Sequence, residues 1–384
     1  MKRICLKCVF TLGTFTCLAC LANAKRLSDK NEGEHVTFEA SYIADNINDV
    51  IGGIQTGSNY LGMANMMMVF DTEKARMWKG GHFFINAANT HGDEPSINLI
   101  GDVQVISNIE AGNHTYLQEV WVKQHFSSTV ITMGLQDLNV EFANSTYGEL
   151  YLNSSFGILP IISNNFNASI FPLTTMGITC KWVASKKYTW VNAMYDGSPT
   201  NFDYNPYNLK WQFNSGDGLL LISEIQKQKK TKHLSGVYKL GAYSHFHRKG
   251  KNIDTPDSLT NSLIGIYAFC DHTLWERGNK NLGLFVQLGY SPSKASTNDF
   301  YLGSGLNYTG LLSKKAKDDL GLAVAHVNFT RNGNSETAIE LTYQYQISGH
   351  FFVQPDIQYI VHPSGTGEPL PNALAANFRF GLNF

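Results

Sequence analysis

Leu374-Ala375-Ala376-Asn377-Phe378-Arg379-Phe380-Gly381-Leu382-Asn383-Phe384 closes the chain, and the fold is decided there. Leu374, Ala376, Phe378, Phe380, Leu382 and Phe384 alternate with Ala375, Asn377, Arg379, Gly381 and Asn383, a period of two that an extended strand turns into one greasy and one wet face. Upstream, Thr337, Ile339, Leu341, Tyr343, Tyr345 and Ile347 oppose Glu336, Ala338, Glu340, Thr342, Gln344 and Gln346. Phe351, Val353, Pro355, Ile357, Tyr359 and Val361 oppose Phe352, Gln354, Asp356, Gln358 and Ile360 in the same way. Soluble β-sandwiches also alternate, so length separates the cases. Soluble strands usually run about 5 to 6 residues, whereas about 9 to 11 tilted residues cross a bilayer.

A strand count tests the reading, because a membrane barrel alternates short turns with longer outer loops. With both chain ends on the periplasmic side, the connections Ser127-Ser128, Ser185-Lys186-Lys187 and Ser348-Gly349 lie on one side and the segments 138–173 and 248–260 on the other. Counting Tyr207 to Asn214 as a strand gives seventeen and breaks that parity. Asn205-Pro206 and Gly216-Asp217-Gly218 are turn chemistry, so 197–217 is read as one outer loop. Sixteen strands remain: about 35–44, 59–71, 80–90, 115–126, 129–137, 174–184, 187–196, 218–227, 235–247, 261–271, 282–291, 300–310, 319–329, 336–347, 349–361 and 372–384. The fold class is all-β, a transmembrane antiparallel barrel closed so that no strand edge meets lipid, with a lumen wide enough for water. Loops 91–114 and 138–173 are expected to fold toward that lumen. The first carries Ile97, Leu99, Ile100, Val103, Val105 and Ile106, which suits a short helix or an inserted hairpin better than a free surface loop.

At the other end, Met1-Lys2-Arg3, the apolar stretch Val9 to Leu21 and Ala22-Asn23-Ala24 form the basic, apolar and small-residue parts of an export signal cleaved after Ala24. Residues 25–384 are then one barrel domain in the outer membrane, in contact with outer-membrane lipid as a monomer or homotrimer. Four of the six cysteines lie in the signal, which leaves Cys180 and Cys270 and no disulfide framework. With 30 Lys+Arg against 31 Asp+Glu the 384 residues carry no basic surplus, which argues against a nucleic-acid partner.

The sequence resembles the carbohydrate-selective porins of the OprB type over nearly the whole exported chain. The matching pieces are Asp71 through Lys74 to Trp78-Lys79-Gly80-Gly81, Leu117-Gln118-Glu119-Val120-Trp121, Phe156-Gly157 with Pro160, and Pro172 followed by Gly177. Tyr238-Lys239-Leu240-Gly241, Gly265-Ile266-Tyr267 and Gly303-Ser304-Gly305-Leu306 leading to Asp319-Leu320-Gly321 follow. The most specific is Gln354-Pro355-Asp356-Ile357-Gln358-Tyr359-Ile360, with His362-Pro363 and the Arg379 strand behind it. The resemblance implies a sixteen-stranded channel that passes sugars by diffusion, with carbohydrates as partners. Lys314-Lys315-Ala316-Lys317 stands where the family usually has an arginine.

A sugar offers hydroxyls at its rim and C–H surfaces on its faces, so a selective constriction needs charged or amide groups and aromatic planes. Parity turns Arg379, Glu340, Asp356, Gln358 and Glu224 inward. Arg379 would cost about 2 to 4 kcal/mol at the midplane if it faced lipid. Each is read either as a rung of a charge ladder that stiffens the wall or as a contact for passing solute. Glu119, Trp121 and Lys123 share a face opposite Val120 and Val122, and Trp121 is read either as a stacking platform or as a packing tryptophan. His82, Phe84 and Asn86 form a further alternating set. His245 and His247 lack a third ligand and are read as a solvated rim, so neither a metal nor another cofactor is expected. The leading function is passive diffusion of mono- and oligosaccharides. The alternatives are a porin for anions or amino acids and, further off, a barrel hydrolase, for which no Ser and His stand together on a lipid face.

Overall fold

The computed structural model describes residues 34–211, 217–231, 234–246, 262–313, 315, 317–330, 333–365 and 370–384. The export signal, the loop 248–260, His247, Lys314 and Ala316 lie outside the described residues. Sixteen strands follow one another: β1 Val36–Ile51, β2 Gly57–Asp71, β3 Gly81–Gly92, β4 His114–Phe126, β5 Thr129–Gln136, β6 Thr175–Val183, β7 Tyr188–Asp196 and β8 Leu219–Lys230, then β9 Ser235–Phe246, β10 Ser262–Arg277, β11 Lys280–Tyr290, β12 Asn298–Thr309, β13 Asp318–Phe329, β14 Ser335–Gln346, β15 Phe351–Val361 and β16 Ala373–Asn383. Each pairs antiparallel with its neighbours, and β1 pairs with β16 to close the ring. Short connections such as Ser127-Ser128 sit at the end where β1 begins and β16 finishes, as the parity argument requires.

Two strands outrun the sequence reading. β1 continues through Asp45, Asn46, Asn48 and Asp49, residues that look like turn chemistry but are paired on both sides. β10 continues to Arg277 past a register shift between Thr273 and Trp275, which breaks the period of two.

The greasy faces point outward: Phe378, Leu341, Ile357, Leu322, Leu240 and Met66 are all exposed on the barrel exterior. Exposed aromatics mark both rims. Trp182, Tyr188 and Trp190 sit toward the end that carries the short turns, and Tyr60, Tyr290 and Tyr359 toward the opposite end. That band with its girdles is the surface a bilayer solvates. Among the described residues no helix is long and apolar enough to cross a membrane.

β5 is short, so the first residues of β4 have no strand beside them on that side. The loop after β7, loop C (197–211), fills the gap. Leu117 donates its amide to the Tyr207 carbonyl at 3.1 Å, and Asn208 Nδ2 donates to the Leu117 carbonyl at 3.1 Å. Tyr207 therefore belongs to a loop that patches the wall rather than to a seventeenth strand.

Candidate functional site

Two loops enter the barrel: loop A (93–113) between β3 and β4, and loop B (137–174) between β5 and β6. Their sequences explain why. Loop A makes one helical turn, Ser96–Ile100, ended by Gly101 at φ 77°, and buries Leu99, Ile100, Ile106 and Ile109 in the same apolar cluster as Ile43, Ile47, Leu61 and Met63 of β1 and β2. Loop B adds Phe142, Leu150, Tyr151, Phe156, Leu159 and Ile161 to that cluster. An apolar loop and an apolar inner wall bury each other, and both leave water. Wall glycines make the room: a Cβ at Gly283 would lie 2.2 Å from the Tyr147 ring, and one at Gly321 2.8 Å from Tyr151.

The loop backbone must find partners once it is buried. The inward polar side chains supply them. Glu340 accepts the Leu152 amide at 2.6 Å and the Asn153 amide at 3.0 Å. Gln354 donates to the Leu150 carbonyl at 2.7 Å, and Gln358 donates to the Ile106 carbonyl at 2.9 Å while accepting Asn153 Nδ2 at 3.2 Å. Asp356 accepts Asn377 Nδ2 at 2.8 Å and Gln358 Nε2 at 3.2 Å. Across the ring, Glu224 accepts the Ala143 amide at 2.9 Å, and Asp271 accepts the Ser145 hydroxyl at 2.6 Å. Arg379 forks onto Asp45 at 2.6 and 2.7 Å and donates to Asn108 Oδ1 at 2.8 Å. Glu336 accepts the Val103, Gln104 and Ser364 amides. The two loops are also tied together, Asn108 N to the Leu152 carbonyl at 2.7 Å and Ser154 N to the Val105 carbonyl at 2.9 Å. The result is a cross-braced constriction hung from carboxylates of the wall.

All five inward groups on the later strands, Arg379, Glu340, Asp356, Gln358 and Glu224, are thus inside, and none is more than 3% exposed. Glu119 and Trp121 are inside as well. A register shift between Asn86 and Ala87 places both Gln118 and Glu119 on the inner side. Trp121 stacks on Phe84 with ring centroids 4.7 Å apart, donates Nε1 to Glu119 at 3.2 Å, and has the Lys123 ammonium 4.6 Å from its ring. Its ring is buried in that stack. Asp45, Glu336 and Asp271 carry the same kind of contact, and the sequence reading did not select them. Asp45 lies in the far half of β1, where Ile43, Asp45, Ile47 and Asp49 alternate inward against polar Asn46 and Asn48. His245 is not at a solvated rim: it is buried and stacks on Phe166 at 4.5 Å, because loop B reaches that far up the wall. Among the described residues no three ligating side chains converge on a metal position.

Loop A carries a pH dependence. Glu110 accepts the Ser96 amide with both oxygens at 3.1 and 3.2 Å, and burial, reinforced by the Asp102 and Glu94 charges, pushes its carboxyl from 4.5 up to about 8. The inserted loop therefore favours the protonated acid. Its contribution is whole below pH 4.5, declines as the pH climbs, and is gone above about 8. Single-channel current is expected to be larger and noisier at pH 9 than at pH 5, and Glu110→Gln to reduce the difference, the remainder resting with the other acids that hold loop A. Equal traces for the unaltered protein at both pH values would contradict this.

The sequence profile of the family described as carbohydrate-selective porin, OprB family, matches residues 55–384. The chain is 24% identical to Porin B of Pseudomonas aeruginosa over an alignment of 421 residues, covering 90% of this chain and 87% of that protein. It is 23% identical to the putative porin QuiX of Acinetobacter baylyi over 408 residues, covering 92% and 90%. The high-pH structure of Pseudomonas putida OprB superposes with a TM-score of 0.81 at 19% identity, over 95% of this chain and 97% of that one.

Proposed function

The chain belongs to the OprB family of carbohydrate-selective porins, and from that membership we propose that Arg379, Glu340, Asp356, Gln358 and Glu224 act on selectivity through the loops they hold. The protein is an outer-membrane channel for sugar-selective diffusion. The observation that carries the proposal is that carboxylates on opposite sides of the ring, Glu340 and Glu224, accept backbone amides of one inserted loop. A rigid aperture built this way selects by size and by the polar groups left at its rim, and it needs no chemical step. Trp121, packed in the Phe84 stack, serves as wall below the aperture. The apolar exterior faces outer-membrane lipid.

Sugar passes unaltered in this reading. Vesicles reconstituted with the purified protein should swell in isosmotic glucose and more slowly in maltotriose, and the sugar recovered should be chemically the same. Release of free glucose from maltotriose would favour a barrel hydrolase. Swelling equally fast in amino acids and sugars of matched size would favour a general porin.

A further inference from the structure

We propose that the exterior of β6 to β9, at the periplasmic rim, holds an anionic glycerophospholipid of the inner leaflet, its acyl chain along Trp182, Trp190, Ile225 and Leu240 and its phosphate on Lys186, Lys187, Lys227 and Lys229. The site lies on the outside of the wall and does not depend on which solute passes through the bore.

Register sets the apolar row. Trp182 pairs with Trp190, Trp190 with Ile225 and Ile225 with Leu240, and all four are exposed. Trp190 Nε1 donates to Ser223 Oγ at 2.8 Å, which leaves the ring plane for lipid. One step closer to the rim, Lys227 stands between Tyr188 and Tyr238 in the register, with its ammonium 5.7 Å from the centre of the Tyr188 ring. Lys229 follows, opposite Gly236. The neighbouring turn brings Lys186 and Lys187 alongside, since Gln228 donates its amide to the Lys187 carbonyl at 2.8 Å.

Charge sets this stretch of the rim apart. Residues 182–190 and 225–235 contain no Asp or Glu, and their described lysines, Lys230 included, are all exposed. At other turns of the same rim acids stand among the bases: Asp71 and Glu73 with Lys74, Arg76 and Lys79, Glu276 with Arg277 and Lys280, and Asp318 and Asp319 with Lys315 and Lys317. Lysines gathered without an acid repel one another, and a bound anion relieves that repulsion. The apolar row lies two residues from Lys227, about 7 Å along the strand, a span that a glycerol backbone bridges between phosphate and acyl chain. A soluble acidic protein would set its hydrated surface on two tryptophans at the hydrocarbon boundary. A second copy meeting this face with its own would set lysines against lysines. An anionic phospholipid satisfies both rows at once, and each lysine near its headgroup adds about a fivefold gain in affinity.

The test is native mass spectrometry of the purified barrel in a neutral detergent, titrated with dioleoyl phosphatidylglycerol or with dioleoyl phosphatidylcholine. Phosphatidylglycerol should be retained at concentrations at which phosphatidylcholine is not. Lys227→Gln with Lys229→Gln should weaken that retention about twenty-five-fold, whereas Lys315→Gln with Lys317→Gln, on a turn that carries its own acids, should leave it intact. All four side chains are exposed, so the barrel folds in both variants. Glycerophosphoglycerol, the same headgroup without acyl chains, should not displace the lipid. Equal retention of the two lipids overturns the proposal, as does a Lys227→Gln, Lys229→Gln variant that keeps phosphatidylglycerol or an equal loss in the Lys315, Lys317 pair. Displacement by polyglutamate at equal concentration overturns it in favour of an acidic protein.

Discussion

Replacing Glu340 with alanine should widen the pore and abolish most of its sugar block while leaving the barrel closed. The side chain is fully buried, and its two oxygens hold consecutive amides of loop B, Leu152 and Asn153. Hydrogen bonds in proteins contribute about 0.5 to 1.5 kcal/mol each, and an amide left buried without a partner adds a desolvation penalty of about 1 to 3 kcal/mol. Gln354 and Gln358 still hold Leu150 and Asn153, so the loop loosens at its centre rather than leaving altogether. Glucose block should weaken about tenfold or more, given that about 1.4 kcal/mol corresponds to one decade. Ion conductance should rise at the same time. Glu340→Gln keeps one acceptor oxygen and should fall between the two. The barrel ladder does not involve the Glu340 side chain, so electrophoretic mobility of the folded, unheated protein should persist. Unchanged conductance and unchanged block in Glu340→Ala would show that the loop is held elsewhere.

Arg379→Ala should carry the largest stability cost of any single substitution in the constriction. The guanidinium and Asp45 are buried together, paired at 2.6 and 2.7 Å, with Ser107 Oγ donating to the same carboxylate at 2.6 Å. Removing one partner leaves an uncompensated buried charge, a loss of about 3 to 5 kcal/mol. The variant also releases Asn108, through which β16 holds the junction between loops A and B. The double variant Asp45→Leu with Arg379→Leu removes both charges, so it should recover most of the unfolding temperature but not the sugar block, because Asn108 still lacks its donor. Recovery of both properties would mean that the pair serves only the wall. No loss in Arg379→Ala would mean that Asp45 is solvated and the pair is not buried in the working channel.

The barrel was legible because period-two alternation is a direct imprint of a two-faced strand, and it survived wherever the greasy face met lipid. Where inward residues were themselves apolar or the outward ones polar, as from Asp45 to Asp49, the imprint blurred and half of β1 was missed. Parity also told which side Glu340, Asp356, Gln358, Glu224 and Arg379 occupy. It could not tell what lies over them, because that depends on a loop more than a hundred residues away for Glu340 and Arg379. The hint was present in loop A, whose Leu99, Ile100 and Ile106 are too apolar for a surface loop, and in loop B, rich in Leu, Ile and Phe. Two long apolar loops next to a wall with inward acids foretell that the acids will cap loop amides. Trp121 illustrates the reverse limit: its face was readable, but the Phe84 and Lys123 neighbours that cover it come from register and from the side chain two residues on.

Single-channel recording in a planar bilayer, with glucose and then maltodextrins added to a potassium chloride bath, bears on the whole account at once. A water-filled barrel braced by loops A and B predicts discrete small conductance steps that fall toward a plateau as sugar rises. Steps that ignore sugar while strongly favouring anions, or no steps at all, would contradict it.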